Sequence, residues 1–268
     1  MKPDSRQAKE LAELALRIAR EGADLCKQGF RSRGTLVSRK GAIDLVTEYD
    51  TRGEALIVER LTKEAPEIPI VGEEGGGQAG ELTFYVDPID GTTNFAHGHP
   101  FWCVSIGIVD ANGRSVGGAV VAPALHTEWV GWIGGPCLRN GEACQVSGID
   151  EIDGSLLATG FPYDRRTSPQ NNFAEFVALK KRAQGVRRCG SAALDLCLIA
   201  DGTYDGYWER KLKPWDVAAA ACFVESAGGR ITDFDGNPLD VRQGNVLASN
   251  GRIHDELVRS LASVGDGG

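Results

Sequence analysis

The amino-acid sequence predicts an α+β first half joined to an α/β second half, on three observations. Up to about residue 145, two helical patterns precede a series of short β-like runs, the order expected of a helix pair on a mostly antiparallel sheet. Beyond about 155, strand and helix patterns alternate. The pattern changes around 145–155, which sets two subdomains, an N-terminal one at 1–147 and a C-terminal one at 148–268 that completes the site.

Residues 5–28 read as an amphipathic helix, with Leu11, Leu14, Ile18, Leu25 and nearby alanines on one stripe. A second helix over about 51–65 carries Ala55, Leu56, Ile57 and Leu61; it opens with Thr51-x-x-Glu54, a capping-box pattern, and stops before Pro66. The β-like runs are Ile68–Gly72, Thr83–Val86, Val104–Val109, Gly117–Val121 and Thr127–Ile133, divided by Gly, Pro and Asn. Asn112-Gly113 and Asn140-Gly141 suit tight hairpin turns. After the boundary come a strand at Leu156–Thr159, helices at 170–184 and 190–201, and a strand at Gly206–Glu209. Asp216–Ala227 reads as a helix stopped by Gly228-Gly229, followed by strands at Ile231-Thr232 and Val246–Ser249 and a closing helix at 251–263. The Gly-rich loop 72–80 and the tail 265–268 are expected to be mobile, and no internal repeat is visible.

At 268 residues, with 42% hydrophobic and 25% charged residues, the chain has the composition of a folded soluble protein. Lys9, Glu10, Glu13 and Arg17 interrupt the N-terminal apolar pattern, which excludes a signal peptide, and no apolar run reaches the ~18 residues a membrane span needs. A cytoplasmic protein is expected. The seven cysteines are scattered, without a CxxC pair or zinc spacing, and read as free thiols in a reducing compartment. A net charge of −8 and a pI near 5.1 argue against broad nucleic-acid binding. If the substrate is anionic, bound divalent cations must reverse the local field.

The chemistry is concentrated in Asp87-Pro88-Ile89-Asp90-Gly91-Thr92-Thr93-Asn94-Phe95. Asp-Pro-x-Asp is good type I turn chemistry, and a turn at Asp87–Asp90 would bring both carboxylates to one side. Gly91 lets backbone approach a ligand, and Thr92 supplies a hydroxyl. Oxygen-only ligands on a tight turn suit Mg²⁺ and substrate phosphate. Other acidic segments are Asp44–Asp50, Gly72-Glu73-Glu74 and Lys213-Pro214-Trp215-Asp216. Each has a plainer reading: Asp50 and Asp216 as helix caps, Glu73-Glu74 as a solvated pair, Asp44 as structural. His97-x-His99 lacks partners for zinc and reads as loop; Arg187-Arg188 reads as an exposed basic pair or an anion contact, and Trp208 and Trp215 as cavity wall or packing.

The four acidic segments, in order and with their spacing, resemble the inositol monophosphatase family, within the superfamily of Mg²⁺-dependent, Li⁺-sensitive phosphatases. The resemblance covers nearly the whole chain. It implies a layered αβαβα sandwich with the site between its halves, and a homodimer. It implies metal ligation by Glu73, Asp87, Asp90 and Asp216 and by the Ile89 carbonyl, for two or three Mg²⁺ with Mn²⁺ as a substitute and Li⁺ as an inhibitor. Asp50 and Thr92 would orient and deprotonate the attacking water, with Glu74 supporting that network. The Gly91 and Thr92 amides, beside Asp90, would hold phosphate, at the start of a short helix. Gly190, Ser191, Ala192 and Glu209 would hold hydroxyls of the alcohol. Expected is direct attack of metal-activated water, without a covalent intermediate, on myo-inositol 1-phosphate and other polyol phosphates. Thr93 stands where several nucleotidases and histidinol phosphatases tend to carry Lys. Fructose 1,6-bisphosphatase, histidinol-phosphate or 3′-nucleotide phosphatase activity are alternatives, as is a mainly regulatory role with RNA or a transcription complex, which the charge does not support.

Overall fold

The structure, a computed structural model, describes residues 3–32, 37–39 and 45–265; Asp44 and tail residues 266–268 lie outside the described residues. Helix α1 (Ser5–Lys27) starts at Asp4, whose carboxylate accepts from the Gln7 N–H at 2.8 Å. Strands β1 (Val37–Arg39) and β2 (Leu45–Thr47) pair antiparallel, and α2 (Glu48–Glu64) follows. The next segment runs β3 (Ile70–Gly72), β4 (Leu82–Asp90), α3 (Thr92–Ala96), β5 (Cys103–Asp110), β6 (Ser115–Ala122), β7 (Thr127–Trp132), β8 (Cys137–Arg139) and β9 (Glu142–Ala143). These seven strands form one sheet in chain order, antiparallel except for the β3–β4 pair.

The remainder runs β10 (Leu156–Thr159), α4 (Phe173–Lys180), β11 (Gly185–Arg187), α5 (Ala192–Ala200), β12 (Gly206–Glu209), α6 (Pro214–Val217), α7 (Ala220–Ser226), β13 (Arg230–Thr232), β14 (Val246–Ser249) and α8 (His254–Gly265). Its five strands are ordered β11-β10-β12-β14-β13, parallel around β10 and antiparallel around β14.

Alternation along the strands builds the layers, because successive side chains take opposite faces. Phe84 and Val86 of β4 pack with Ile18 and Ile57 of α1 and α2, while Tyr85 joins the opposite core with α5 and α7. Ala158, Tyr207 and Ala248 of the second sheet face that same central core; Leu157, Trp208 and Leu247 face outward against α4 and α8. The result is five layers, αβαβα. Each fully buried large apolar side chain contributes ~1.5–3 kcal/mol.

Three local expectations are corrected. Helix α2 starts before Thr51: Thr47 is its cap, and Asp50 closes the capping box by accepting from the Thr47 N–H, which leaves Glu54 free for another role. The helix expected at Asp216–Ala227 is two helices, because the Ser115 hydroxyl takes the Ala218 carbonyl where the break falls. The type I turn at Asp87–Asp90 is not formed; β4 continues through it to Asp90. Among the described residues all seven cysteines are free, and no helix is long and apolar enough to cross a membrane.

Candidate active site

The carboxylate pair converges through a β-bulge. Asp87 pairs with Ser105 and Asp90 with Cys103, so three steps along β4 face two along β5. One extra residue changes the parity of the strand, placing residues i and i+3 on one face. Pro88 sits in the extra stretch, where its missing N–H leaves no ladder bond unmade. The Ile89 N–H turns inward to Asp87 Oδ1 at 2.9 Å. Gly91, at φ 96°, then reverses the chain into α3, a backbone conformation that favours glycine.

Asp216 enters from the first turn of α6, its Oδ2 held by the Lys213 N–H at 2.7 Å. Ligand oxygens of Asp87, Asp90 and Asp216 all lie within 4.8 Å of one another. Asp90 Oδ2 is fixed by the Ser191 hydroxyl at 2.6 Å and the Ala193 N–H at 2.7 Å. Glu73 lines the same cavity, and its charge acts on Asp87. Burial, then the Glu73, Asp90 and Asp216 charges, push Asp87 well above the usual carboxylate range; burial and Asp90 do the same to Asp216. Burial raises Asp90 to about 6 against the opposing pull of Ser191 and Ala193. Such a cage of oxygens, mutually repelling and out of water, fits a hard divalent cation, which would supply the neutralising charge.

Beside the cage, the Thr92 hydroxyl reaches Ile89 O at 3.0 Å and Asp50 Oδ1 at 3.1 Å. Asp50 is fully buried; its second oxygen is occupied by the Thr47 N–H at 2.8 Å and the Thr47 hydroxyl. Burial raises Asp50 to about 6 although the Thr47 hydrogen bonds lower it. Glu74 stands differently from its neighbour. Its backbone N–H bonds Glu54 at 2.8 Å, and it is not on the cavity wall.

The cavity, about 830 Å³, runs from these acids to Gly190, Ser191, Ala192 and Glu209. The Ser191 hydroxyl is committed to Asp90 and caps α5, so the backbone of this segment rather than that hydroxyl is left to face a substrate. Glu209 accepts from the Tyr207 hydroxyl, and burial raises it to about 7, with Tyr207, Arg188 and Arg165 opposing. Trp215 and His97 line the cavity; Trp208 does not, bonding instead to Asn172 at 2.7 Å in the outer core.

Three site residues escaped the sequence reading. Glu54 clamps the Glu73-Glu74 loop by accepting from the Glu74 and Gly75 N–H groups, the latter at 2.6 Å. Asn94 donates to Phe101 O at 2.7 Å and Cys189 O at 2.8 Å, joining α3 to the loop before α5. Asp195, buried on the cavity wall, has an Oδ1 without a hydrogen-bond partner among the described residues, and burial followed by the Glu209 charge pushes it well up. An acid inside the apolar run 192–200 was the available signal for it.

The profile of the inositol monophosphatase family matches residues 7–265. The inositol-1-monophosphatase of Synechocystis sp. is 44% identical over 232 residues, spanning 85% of this chain and 80% of that protein. Nus factor SuhB of Pseudomonas aeruginosa is 36% identical over 259 residues, spanning 94% and 95%. The structure of inositol monophosphatase from Anabaena (Nostoc) sp. superimposes with a TM-score of 0.87 at 40% identity, covering 95% of this chain and 96% of the other.

Proposed function

This chain belongs to the inositol monophosphatase family, and on that premise we propose that it is a Mg²⁺-dependent phosphomonoesterase acting on myo-inositol 1-phosphate and related polyol phosphates. The observation that carries the reading is the convergence of Asp87, Asp90 and Asp216 beside the Thr92–Asp50 pair. Glu73, Asp87, Asp90 and Asp216, with the Ile89 carbonyl, would hold the ions, with Mn²⁺ able to replace Mg²⁺ and Li⁺ inhibitory. Bound there, Mg²⁺ neutralises charge on the phosphoryl oxygens and on the leaving alkoxide.

The chain's own groups do the rest. The single Thr92 proton points at Ile89 O and Asp50 Oδ1, so a lone pair of Oγ1 remains to accept from a water in the cavity. That hydrogen bond aims the water's oxygen, and its proton passes by way of Thr92 Oγ1 to Asp50 Oδ1. With a value near 6, Asp50 is mostly ionised at neutral pH yet basic enough to hold it. Thr47, by occupying Oδ2, leaves Oδ1 as the working oxygen. The Gly91 and Thr92 amides hold the phosphate, and Glu209 accepts from hydroxyls of the alcohol. Asn94 keeps the two walls in register.

A panel of myo-inositol 1-phosphate, glycerol 2-phosphate and a 2′-nucleotide with Mg²⁺ tests the reading. Phosphate release is expected, with inversion at a chiral phosphorus; release from none of them defeats the function, and retention defeats the direct attack. The likeness to Nus factor SuhB supports a second reading, a transcription-complex partner. It predicts that Asp87→Asn in cells spares a phenotype that deletion of the gene produces.

A further inference from the structure

We infer that Asp195 is a further specificity-determining residue, whose carboxyl group takes one hydroxyl of the leaving alcohol on the cavity wall it shares with Glu209. The inference deepens the phosphatase reading and rests on it. Asp195 lines the cavity at only 1% exposure, in the first turn of α5. Among the described residues its Oδ1 has no hydrogen-bond partner, and no ion pair reaches the carboxyl group. A half-turn about the last side-chain bond exchanges the two oxygens, so the unmatched position belongs to the group rather than to one atom.

A capping role does not account for this acid. In a first turn a carboxylate ordinarily takes a free backbone N–H. Here those groups are occupied: the Ala193 N–H by Asp90 Oδ2 at 2.7 Å, the Leu194 N–H by the Ser191 hydroxyl at 3.4 Å, and the Asp195 N–H by the Ser191 carbonyl at 3.0 Å. Nor does Asp195 belong to the acid cage, whose converging oxygens among the described residues are those of Asp87, Asp90 and Asp216. A buried carboxyl group without a partner is costly, and a ligand in the cavity can supply one. A phosphate does not suit it, because the Glu209 and Asp90 charges already act on this group and a further anion adds to them. A hydroxyl does: it both donates and accepts, and so matches the carboxyl group with or without its proton. Other polar side chains along this wall are engaged, Ser191 with Asp90 and Glu209 with the Tyr207 hydroxyl. Asp195 is thus an uncommitted acid beside the alcohol.

The test compares kcat/KM for myo-inositol 1-phosphate with that for p-nitrophenyl phosphate, whose alcohol carries no further hydroxyl. In Asp195→Ala the ratio should fall about tenfold, mostly through KM for the inositol ester. Equal losses on both esters, or no loss on either, overturn the inference. Asp195→Asn keeps an acceptor and a donor in place and should hold the ratio within about threefold; a loss as large as that of Asp195→Ala would mean that charge alone acts, and overturns it. Singly deoxygenated inositol 1-phosphates test the unaltered protein. One of them should be about tenfold poorer than the parent and lose nothing more in Asp195→Ala, because the same contact is already gone. No such analogue, or a full second loss with each of them, overturns the inference. If no phosphate ester is hydrolysed, the phosphatase reading fails. Calorimetry with myo-inositol 1-phosphate in Mg²⁺, then free of turnover, still decides this one: about tenfold weaker binding by Asp195→Ala is expected, and equal binding overturns it.

Discussion

The acidic floor and the basic rim of the cavity are built on opposite terms. On the floor each carboxylate is buried or half-buried and fixed: Asp87 by the Ile89 N–H, Asp90 by Ser191 and Ala193, Asp216 by the Lys213 N–H, Asp50 by Thr47. On the rim, Arg166 and Arg188 are exposed, and one carbonyl steadies Arg165. Preorganised groups cost nothing to arrange at the moment of reaction, so the floor should control rate. Exposed cations on long stems lose freedom on binding and are screened by salt, so the rim should control choice of substrate, and only by about tenfold.

The largest effect should come from the floor. Asp87→Asn keeps the shape and removes one charge from the cage, and turnover should fall about a thousandfold or more. The same substitution should raise the melting temperature of the metal-free protein, because Asp87 is held against the charges of Glu73, Asp90 and Asp216. Melting curves in chelator and steady-state turnover in Mg²⁺ check both halves. Near-normal turnover would erase the contrast between floor and rim.

A smaller effect tests what holds the floor up. Gly107, Gly118 and Gly131 are aligned across β5, β6 and β7, and α6 and α7 sit on this bare stripe. A Cβ on Gly107 would meet the Ala218 carbonyl carbon and the Ala219 nitrogen at 2.4 Å, both backbone atoms that cannot rotate away. Gly107→Ala must therefore lift the end of α6, two residues from Asp216. Overpacking of this kind costs ~1–3 kcal/mol, and the displaced carboxylate should lower kcat/KM at least tenfold. A drop in melting temperature with unchanged kcat/KM would show that the stripe supports the fold without positioning the floor.

What the sequence made legible follows the same division. Asp87, Asp90 and Thr92 stand out because their chemistry is written locally, in Asp87-Pro88-Ile89-Asp90-Gly91-Thr92, whereas Asp216 reads locally as a helix cap and becomes legible as a ligand only through the family resemblance. Strands β4 to β7 are legible from length and composition, and the Asn140-Gly141 hairpin from its turn residues, both of which take positive φ. The Asp-Pro-x-Asp turn misleads because sheet pairing with β5 overrides local turn preference. Strands β1, β2, β8, β9 and β11, of two or three residues, are too short to show alternation. Glu54, Asn94 and the glycine stripe act across the fold, at sequence separations that no local pattern encodes.

The smallest effect concerns pH, and it separates the floor from the rest of the core. Asp50 and Asp90 titrate near 6 in the folded protein against 3.8 ordinarily, and Glu209 near 7 against 4.5. Over that interval the folded state binds more protons than the unfolded one, so these groups contribute their stability below about pH 4 and lose it as pH rises through 6 to 7. Buried His254 works in the other direction. Lowered to about 4 from 6.5 by burial and Arg230, it favours folding increasingly as pH rises between those values. Cations bound in the acid cage cancel the first contribution and leave the second untouched. The difference in melting temperature between Mg²⁺ and chelator should therefore widen from pH 5 to pH 8, reaching about 5–10 °C at a hundredfold excess over Kd. A difference that is flat or narrows with pH would mean that cations bind somewhere other than the floor.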